Sequence, residues 1–431
     1  MPSPEQNVKR SIRGLLVATI LLVLASGNQA FAQSEDYSES INLAVNRWLM
    51  VQKPSGFMPY GFDFVLDSEA EPNTMSGANL VRQAGTASSL ADYYALTKDQ
   101  RAAPAIQRFL RAFGHHSLPI GKSKGQALVE STRVLSLPYG RYKIHAALDR
   151  LDLLYANEGP GKVLSPDGSY DKARTGAVAL ALLTEVRYAQ TSGDNSFADL
   201  RRAWVEGLVA LRIPGGGFRD NPESINSLPY FDGESWLALA EYHRAFPQDR
   251  RVSELLADVE EALLEQYGDA KDVAFFHWGT QAAAVRYADT KDKKFLDFIK
   301  AQTRAFLDDK KDKIGMNNNC ASVEGLADAI GALLSAGEGN GELANRARRW
   351  VTKEMHKAKQ LQIQPGQTEL VFSNARLVAP RMQEFAGCFR MGVYVAYTQV
   401  DLTQHCLSAM LKLKRVNETP RVTPNKSAIG Q

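Results

Sequence analysis

The sequence predicts an all-α protein of the (α/α)6 toroid type, in which helical hairpins form two concentric layers, with a small β-hairpin insertion. One observation is a repeat: a polar stretch opens a helix rich in Ala, Leu and Gly, and a short polar turn then leads to a second helix. The other is a contrast within each pair. The first helices are apolar on nearly all sides, which predicts an inner layer, whereas the second helices are amphipathic and fit an outer layer.

Five polar stretches mark where the inner helices should begin. They start near Asn79, Lys172, Phe231, Phe276 and Asn317. The second stretch precedes residues 177–183, which are only Ala, Leu and Val, so we expect that helix to be surrounded by protein. In the helix that follows it, apolar residues recur at Phe197, Leu200, Trp204 and Leu208 with charges between them, which is typical of one buried face.

The N-terminus has the features of a secretory signal peptide over residues 1–32. Lys9, Arg10 and Arg13 precede an apolar run that is short for a membrane span, and Ala30-Phe31-Ala32 supplies the small-x-small cleavage pattern. We expect a mature chain without a stable membrane span, located in the periplasm or secreted. An uncleaved N-terminal anchor is the alternative.

The remaining chain is expected to be one toroid domain over residues 33–418, followed by a disordered tail over 419–431. Residues 114–170 carry Gly, Pro and short β-branched or aromatic runs, which predicts the β insertion. Residues 213–229 are rich in Gly, Asn and Pro and should form a loop over the mouth of the barrel.

The charge of the chain limits its possible binding partners, and its cysteine content limits its possible disulfides. The 431 residues contain Lys+Arg 51 and Asp+Glu 48, and the resulting net charge of +3 comes without a basic stripe, so nucleic acid is not an expected partner. Cys320, Cys388 and Cys406 are an odd number of cysteines. One disulfide is chemically possible in an oxidising compartment, but buried free thiols on Ala-rich helices are the preferred interpretation.

The segment from Tyr230 to Trp236 contains the strongest candidates for catalysis. Asp232 and Glu234 are two carboxylates at a helix start, and paired carboxylates serve as general acid and base. Tyr230 and Trp236 could stack on sugar rings. The alternative is that Asp232 is a helix N-cap and that Glu234 is a first-turn acid favoured by the helix dipole.

Histidines and a further carboxylate are also candidates. His277 could carry a proton, and Trp278 beside it could be a stacking platform. Glu324 lies just inside an apolar run and therefore needs a partner. Asp401 and His405 share one helical face, so the acid could orient the histidine; metal-ligand spacing is weaker, and a local hydrogen bond closing the last hairpin is preferred.

Other polar residues at inner-helix starts could bind substrate. Arg82 with Gln83, and separately Arg174, could bind a carboxylate or sulfate, although ion pairs with Asp232 or Glu234 would explain the arginines structurally. Asn319 belongs to a triple-Asn segment that helix capping also explains. The nucleophile-elbow, phosphate-loop, dinucleotide and zinc-protease motifs do not occur in the sequence. We therefore predict no cofactor and no metal.

With the inner-helix starts Arg82-Gln83-Ala84-Gly85, residues 230–234 and His277-Trp278 in view, the chain resembles the six-hairpin toroid superfamily of carbohydrate-active enzymes. This group includes glycoside hydrolases, polysaccharide lyases and sugar epimerases, and the resemblance covers roughly residues 40–415. It implies a polysaccharide or oligosaccharide bound in the funnel. The sequence departs from the 2-epimerase pattern because it lacks an obvious pair of funnel histidines at matched helix positions.

The sequence therefore favours a periplasmic glycan-active enzyme, most simply a glycoside hydrolase. Asp232 or Glu234 would be the acid and Glu324 its partner. A uronate polysaccharide lyase or sugar epimerase is the nearest alternative, with His277 or Tyr230 as base. A non-catalytic toroid that binds a polysaccharide or a protein of an export system is the alternative from another functional class.

Overall fold

The computed structural model describes most of the chain after the predicted signal peptide. The described residues are 36–70, 76–120, 134–139, 142–147, 160–270, 272–311 and 313–418. The predicted signal peptide and C-terminal tail lie outside them. From Ser38 onward, the described residues belong to one compact unit, Ser38–Gln431. Within the described residues, no helix combines the length and the apolar character needed to cross a membrane.

Six helices form a closed inner ring. They are α2 (Gly77–Thr97), α4 (Thr175–Ser192), α6 (Pro229–Ala245), α8 (Val273–Thr290), α10 (Cys320–Ser335) and α12 (Val400–Glu418). Each packs against the next, and α12 packs against α2, so the ring has no open edge. The five predicted inner helices are present, and each begins within a few residues of its predicted polar stretch. The sixth, α12, follows a C-terminal strand.

Six further helices form the outer layer. They are α1 (Ser38–Val51), α3 (Ala102–His115), α5 (Ala198–Leu211), α7 (Arg250–Tyr267), α9 (Lys293–Lys310) and α11 (Glu342–Leu361). Five of them follow an inner helix in sequence and pack on it, and α1 packs on α12, which closes the sixth pair from the two ends of the chain. Large aromatic side chains such as Trp204, Trp236 and Trp350 are buried. The predicted (α/α)6 toroid is confirmed.

The predicted polar turns stop the inner helices. Lys98 and Lys291 end α2 and α8 in the left-handed conformation, both with φ of 57°, and Gly193 ends α4 with φ of 76°. Asp249 and Asp292 then cap α7 and α9 by accepting hydrogen bonds from backbone N–H groups in their first turns. Each short connection therefore reverses the chain and begins the next helix at once.

The part of the chain that the structure describes also contains ten short strands. They are β1 (Gly61–Asp63), β2 (Ser68–Glu69), β3 (Ser117–Ile120), β4 (Val134–Tyr139), β5 (Tyr142–Ala147), β6 (Gly161–Leu164), β7 (Glu369–Val371), β8 (Arg376–Val378), β9 (Arg390–Gly392) and β10 (Val395–Gln399). In the predicted insertion, β3 pairs with β6 and β4 with β5, both antiparallel. A four-stranded sheet in the order β2-β1-β10-β9 was not predicted, and its strand β10 leads directly into α12.

The expectation of three free thiols is wrong. Cys320 and Cys406 form a disulfide, with their Cα atoms 4.8 Å apart. They lie 86 residues apart in sequence, but α10 and α12 are neighbours in the ring, which brings the two side chains together. Cys388 is the free cysteine.

Candidate active site

The candidate site lies where the inner helices begin, at the end of the ring that we call the mouth. Contacts between early residues of α8, α10, α12 and α2 show that these helices all start at this end. On α10, Glu324 and Asp328 are four residues apart, so they lie on the same face of the helix. Both bind side chains of α12, and the positions that meet in this way form the inward face of the ring.

Two histidines share one buried carboxylate at the mouth. Nδ1 of His405 lies 2.7 Å from Oε1 of Glu324, and Nε2 of His277 lies 3.4 Å from Oε2 of the same carboxylate. Ser408 also donates a hydrogen bond of 2.8 Å to Oε2. The two imidazole rings meet edge to face, with centroids 5.1 Å apart. The predicted need of Glu324 for a partner is therefore met by two separate inner helices.

The surroundings push the two histidines toward opposite protonation states. Burial lowers the pKa of His277, and the pull of Glu324 only partly opposes this. Burial also acts to lower the pKa of His405, but Glu324 and then Asp401 outweigh it and raise that pKa above the usual value. Burial would raise the pKa of Glu324, yet the two imidazoles hold it at about 2. The cluster therefore favours an ionised Glu324, a protonated His405 and a neutral His277.

The neutral histidine has unused hydrogen-bonding capacity. His277 is 4% exposed, and neither of its ring nitrogens makes a well-formed hydrogen bond to any residue that the structure describes. An unpaired buried nitrogen is costly unless a ligand or water satisfies it. His405 is more accessible, since 22% of its side chain is exposed.

An arginine and an aspartate continue the cluster across α12 and α2. Nε of Arg82 donates to Oδ2 of Asp401 at 2.9 Å, and its Nη1 donates to the hydroxyl of Tyr60 at 2.8 Å. Asp401 also raises the pKa of His405. Charged side chains of α2, α12 and α10 therefore follow one another around the mouth. Arg82 is 32% exposed, so part of its guanidinium can meet solvent or a ligand. In place of the expected hydrogen bond between Asp401 and His405, Asp401 pairs with Arg82 and His405 pairs with Glu324.

Glu234 is a buried acid on the neighbouring helix α6. Its burial raises its pKa well above the usual glutamate value, and its Oε2 has no hydrogen-bond partner among the described residues. The carboxyl group packs against Gly176 at the start of α4, where a Cβ atom would collide with it. The preceding Gly233 packs against Trp278, which is in turn stacked near His277.

Asp232 does not join Glu234 as a catalytic pair. Its Oδ1 accepts the backbone N–H of Phe218 at 2.6 Å, and its Oδ2 accepts the hydroxyl of Tyr267 at 2.7 Å. Residues two positions apart on a helix point in nearly opposite directions, so Asp232 faces the loop and the outer layer. Nor is Asp232 an N-cap, because that position is Leu228. Burial raises the pKa of Asp232 to about 6, and we assign it an anchoring role.

Two predicted substrate-binding residues are structural. Trp236 is fully buried between the layers, and its indole N–H donates to Glu260 at 3.3 Å, so its ring is not available to a sugar. Gln83 is fully buried and exchanges hydrogen bonds with both the N–H and the carbonyl of Met58. Its amide therefore holds the chain segment before β1 rather than a ligand.

The other predicted residues remain candidates. Half of the Tyr230 surface is exposed, and Arg174 lies 3.8 Å from Asp220 at the start of α4. Neither Arg174 nor Arg82 pairs with Asp232 or Glu234. Trp278 is 4% exposed, so protein covers most of its ring. Asn319 donates its backbone N–H to Glu354 at 3.1 Å and makes no side-chain cap.

Sequence reasoning missed the partnership of His405 with Glu324. The spacing of Asp401 and His405 was noticed, but it was explained by a local bond. Since His277 and His405 meet across α10, the mouth does contain a pair of histidines, contrary to the sequence-based expectation. The sequence feature that could have indicated this contact is Glu324, a lone acid inside an apolar run, because such an acid needs partners from other helices.

The same three side chains are the best candidates for holding a metal ion. Donor atoms of His277, Glu324 and His405 lie within 4.8 Å of one another. Two imidazoles and a carboxylate are a known zinc set, but a metal-bound imidazole usually donates its second N–H to the protein. His277 has no such acceptor among the described residues. The arrangement therefore fits acid–base chemistry better.

The fold, but not the sequence, has known counterparts. No family model matches the chain, and no curated protein matches it either. An α-1,6-mannanase from Salegentibacter sp. HEL1_6 has a TM-score of 0.56 at 10% identity, covering 88% of this chain and 100% of the mannanase. An unsaturated glucuronyl hydrolase specific for heparin gives 0.53 at 12% identity, with coverages of 88% and 97%.

A sugar epimerase from a ruminal bacterium has a TM-score of 0.51 at 10% identity, covering 86% of this chain and 98% of the epimerase. These neighbours are six-hairpin toroid enzymes, so the resemblance drawn from the sequence is confirmed for the fold. At such low identity the shared fold does not choose among their activities.

Proposed function

We propose that the protein is a saccharide-active enzyme that transfers protons with His277 and His405, in the manner of a sugar epimerase or isomerase. The observation that supports this proposal is that the pKa values of His277 and His405, which both contact Glu324, are shifted in opposite directions. A pair of titratable groups with pKa values pushed apart is the usual arrangement of a general base and a general acid. The toroid fold, which is shared with a sugar epimerase, supports a saccharide substrate.

The proton transfers balance without a redox partner. Neutral His277 removes the proton from the carbon beside the carbonyl group of the open-chain sugar. The carbonyl oxygen receives a proton from the imidazolium of His405, and the electron pair forms the carbon–carbon double bond of an enediol. The enediol then turns its other face to His277, which returns the proton to the carbon, while the enediol hydroxyl gives its proton back to His405 and the carbonyl of the epimer is restored. Glu324 keeps His405 charged and fixes its orientation.

A glycoside hydrolase is the second candidate, because burial raises the pKa of Glu234 and its Oε2 has no partner among the described residues. Glycosidases use such an acid to protonate the leaving oxygen, together with a second carboxylate. The expected partner Asp232 is turned away, and Glu324 already binds two histidines and Ser408. Because both carboxylates are already engaged in these contacts, the histidine pair is the better candidate for the catalytic acid and base.

The mannanase neighbour supports the same ranking. One of its structures is an inactive variant with two adjacent aspartates replaced, bound to α-1,6-mannotetrose. The only Asp-Asp pair in this sequence is Asp308-Asp309, at the end of the outer helix α9. The inner-helix starts therefore offer no similar pair of aspartates.

The test is incubation of the purified protein in D₂O with neutral and uronate-containing mono-, di- and polysaccharides, followed by NMR. The proposal expects deuterium at the carbon beside the carbonyl and a new epimer. New reducing ends without deuterium at carbon, abolished by Glu234→Gln, would support the hydrolase instead. Binding of saccharides without any conversion would contradict both and favour the non-catalytic binder.

We also propose that the mature enzyme begins near Gln33 and works in the periplasm or outside the cell. The basic, apolar and Ala-Phe-Ala order of the N-terminus supports export. The Cys320–Cys406 disulfide supports an oxidising compartment. N-terminal sequencing of the protein from fractionated cells should give Gln33, and a full-length cytoplasmic protein would contradict the proposal.

A further inference from the structure

Arg219 is a half-buried arginine without an acidic partner. Its Nε is covered by protein and has no hydrogen-bond partner, and its side chain forms no ion pair with any residue that the structure describes. Other buried or half-buried arginines of the toroid have such partners, for example Arg187 and Arg201. Covering an N–H group of a guanidinium without giving it an acceptor is costly, so the buried Nε of Arg219 needs an explanation.

The backbone around Arg219 holds this residue at the mouth. Its carbonyl accepts the hydroxyl of Thr175, the first residue of α4, and the carbonyl of Asp220 accepts the N–H of Thr175 at 3.0 Å. The next residue, Gly176, packs against the carboxyl group of Glu234. The loop that carries Arg219 is therefore fixed to the same helix start that borders the candidate site.

Arg219 has no ion-pair partner at this helix start among the described residues. Asp220 lies 3.8 Å from Arg174, which leaves Arg219 without a counter-ion. Glu234 supplies no charge while it is protonated. On the other side of the mouth, Arg82 is already neutralised by Asp401. The positive end of the α4 dipole also lies at this helix start. Arg219 is therefore the arginine at the mouth that has no acidic partner among the described residues.

We propose that Arg219, assisted by Arg174, binds an anionic group of the saccharide, so that the substrate class is acidic sugars. The inference rests on the proposed saccharide-active function and names its substrate more narrowly. Guanidinium groups bind carboxylates and sulfates through charge-assisted hydrogen bonds, and both ligands share this chemistry. The neutral mouth around His277 would then bind the reacting part of the same sugar.

The experiment measures binding by isothermal titration calorimetry. The probes are a uronate-containing tetrasaccharide, its carboxyl-reduced neutral form, and the neutral form carrying one sulfate. The proteins are the wild type, Arg219→Gln, Arg219→Lys, and Arg202→Gln as a matched control on the exposed face of α5, where Arg202 pairs only with Asp199. Arg219→Lys keeps the charge and shows whether loss of binding comes from charge or from folding.

The wild type should bind the uronate probe at least about tenfold more tightly than the reduced probe, as one charge-assisted contact predicts. Arg219→Gln should reduce that ratio to about twofold or less, whereas Arg219→Lys should retain part of it and Arg202→Gln all of it. Equal preference for the sulfated probe extends the site to sulfates, and a weak response to sulfate restricts it to carboxylates.

Two results would count against this assignment in different ways. If the wild type binds acidic and neutral probes equally, or if Arg219→Gln keeps the preference, the anion site is overturned while the saccharide reaction stands. If no saccharide binds and none is converted in the D₂O experiment, the proposed function itself is overturned, and the anion site falls with it.

Discussion

The two ends of the inner ring both carry ionisable side chains, and they differ in how completely these side chains are paired. At the end where the inner helices finish, eight residues form what we call the ion-pair ring: Asp92, Arg187, Glu241, Arg244, Asp289, Asp328, Lys412 and Arg415. Arg187 lies 3.5 Å from Asp92 and 3.4 Å from Glu241, and Lys412 lies 2.6 Å from Asp328. Four acids meet four bases, so the charges cancel.

The mouth has a different balance. None of the eight residues of the ion-pair ring has a buried nitrogen or oxygen without a partner, whereas Glu234 and His277 do. Thr280 and Gln281, one turn below His277 on α8, also have an unpaired polar atom each. The same ring of helices thus uses charge in two ways. Complete pairing closes one end, and incomplete pairing at the other leaves donors and acceptors for a ligand.

The largest expected effect is loss of turnover on replacing His277. His277→Gln should lower saccharide turnover by about 10²- to 10⁴-fold, since the base is lost, with little change in melting temperature because no well-formed hydrogen bond is removed. Steady-state kinetics and thermal unfolding measure the two effects. His243→Gln, on α6, is the matched control and should change neither. A large loss of stability with unchanged turnover would show that His277 is structural.

Replacing Asp92 should have the opposite signature. Asp92→Ala leaves Arg187 and Arg415 without their shared carboxylate and should lower the free energy of unfolding by about 3 kcal/mol. Turnover of the folded protein should stay near that of the wild type. Denaturant unfolding measures the first effect, with the exposed Asp199→Ala as a control that should be neutral. Loss of turnover without loss of stability would instead indicate that the functional site lies at the end of the ion-pair ring and not at the mouth.

A smaller effect concerns the pH dependence of stability at Glu234. The folded protein holds this proton more tightly than the unfolded chain does, because burial raises the folded pKa. Its stabilising contribution is therefore full below the unfolded pKa of about 4.3 and falls as pH rises toward the folded pKa. Glu234→Gln should remove this decline, which is at most about 1.4 kcal/mol per pH unit.

Melting temperatures of the wild type and of Glu234→Gln are measured from about pH 5 to about pH 8, which covers the range above the usual glutamate pKa. The exposed Glu261→Gln on α7 is the matched control and should follow the wild type. Parallel curves for wild type and Glu234→Gln would mean that Glu234 is ionised in the folded protein, and the mouth would then carry a charge that the present account excludes.

Much of the fold follows from the sequence because it is local. Inner helices are apolar all round, and their stop and start residues, such as Gly193 and Asp292, act within one turn. The four-stranded sheet was not predictable in this way, since β1 pairs with β10 more than 300 residues later and each has at most five residues. The disulfide was missed for the same reason, because it depends on ring neighbours.

The site was predicted less well than the fold because a candidate residue can point in several directions. His277, Glu324 and Arg82 were identified from their positions at inner-helix starts, and all three lie at the mouth. Asp232 was misjudged, although its spacing of two from Glu234 already indicates that the two carboxylates diverge. His405 depends on Glu324, 81 residues earlier in the chain, and only the closed ring brings them together.

The most direct test of the central claim is an NMR titration of the imidazole groups. His277→Gln and His405→Gln assign the two resonances, and the wild type is then followed across the neutral range. We expect His277 to titrate below, and His405 above, the usual histidine pKa of about 6.5. If both titrate together near that value, or if His277 is the more basic of the two, the mouth holds no poised acid–base pair and the proposed mechanism is contradicted.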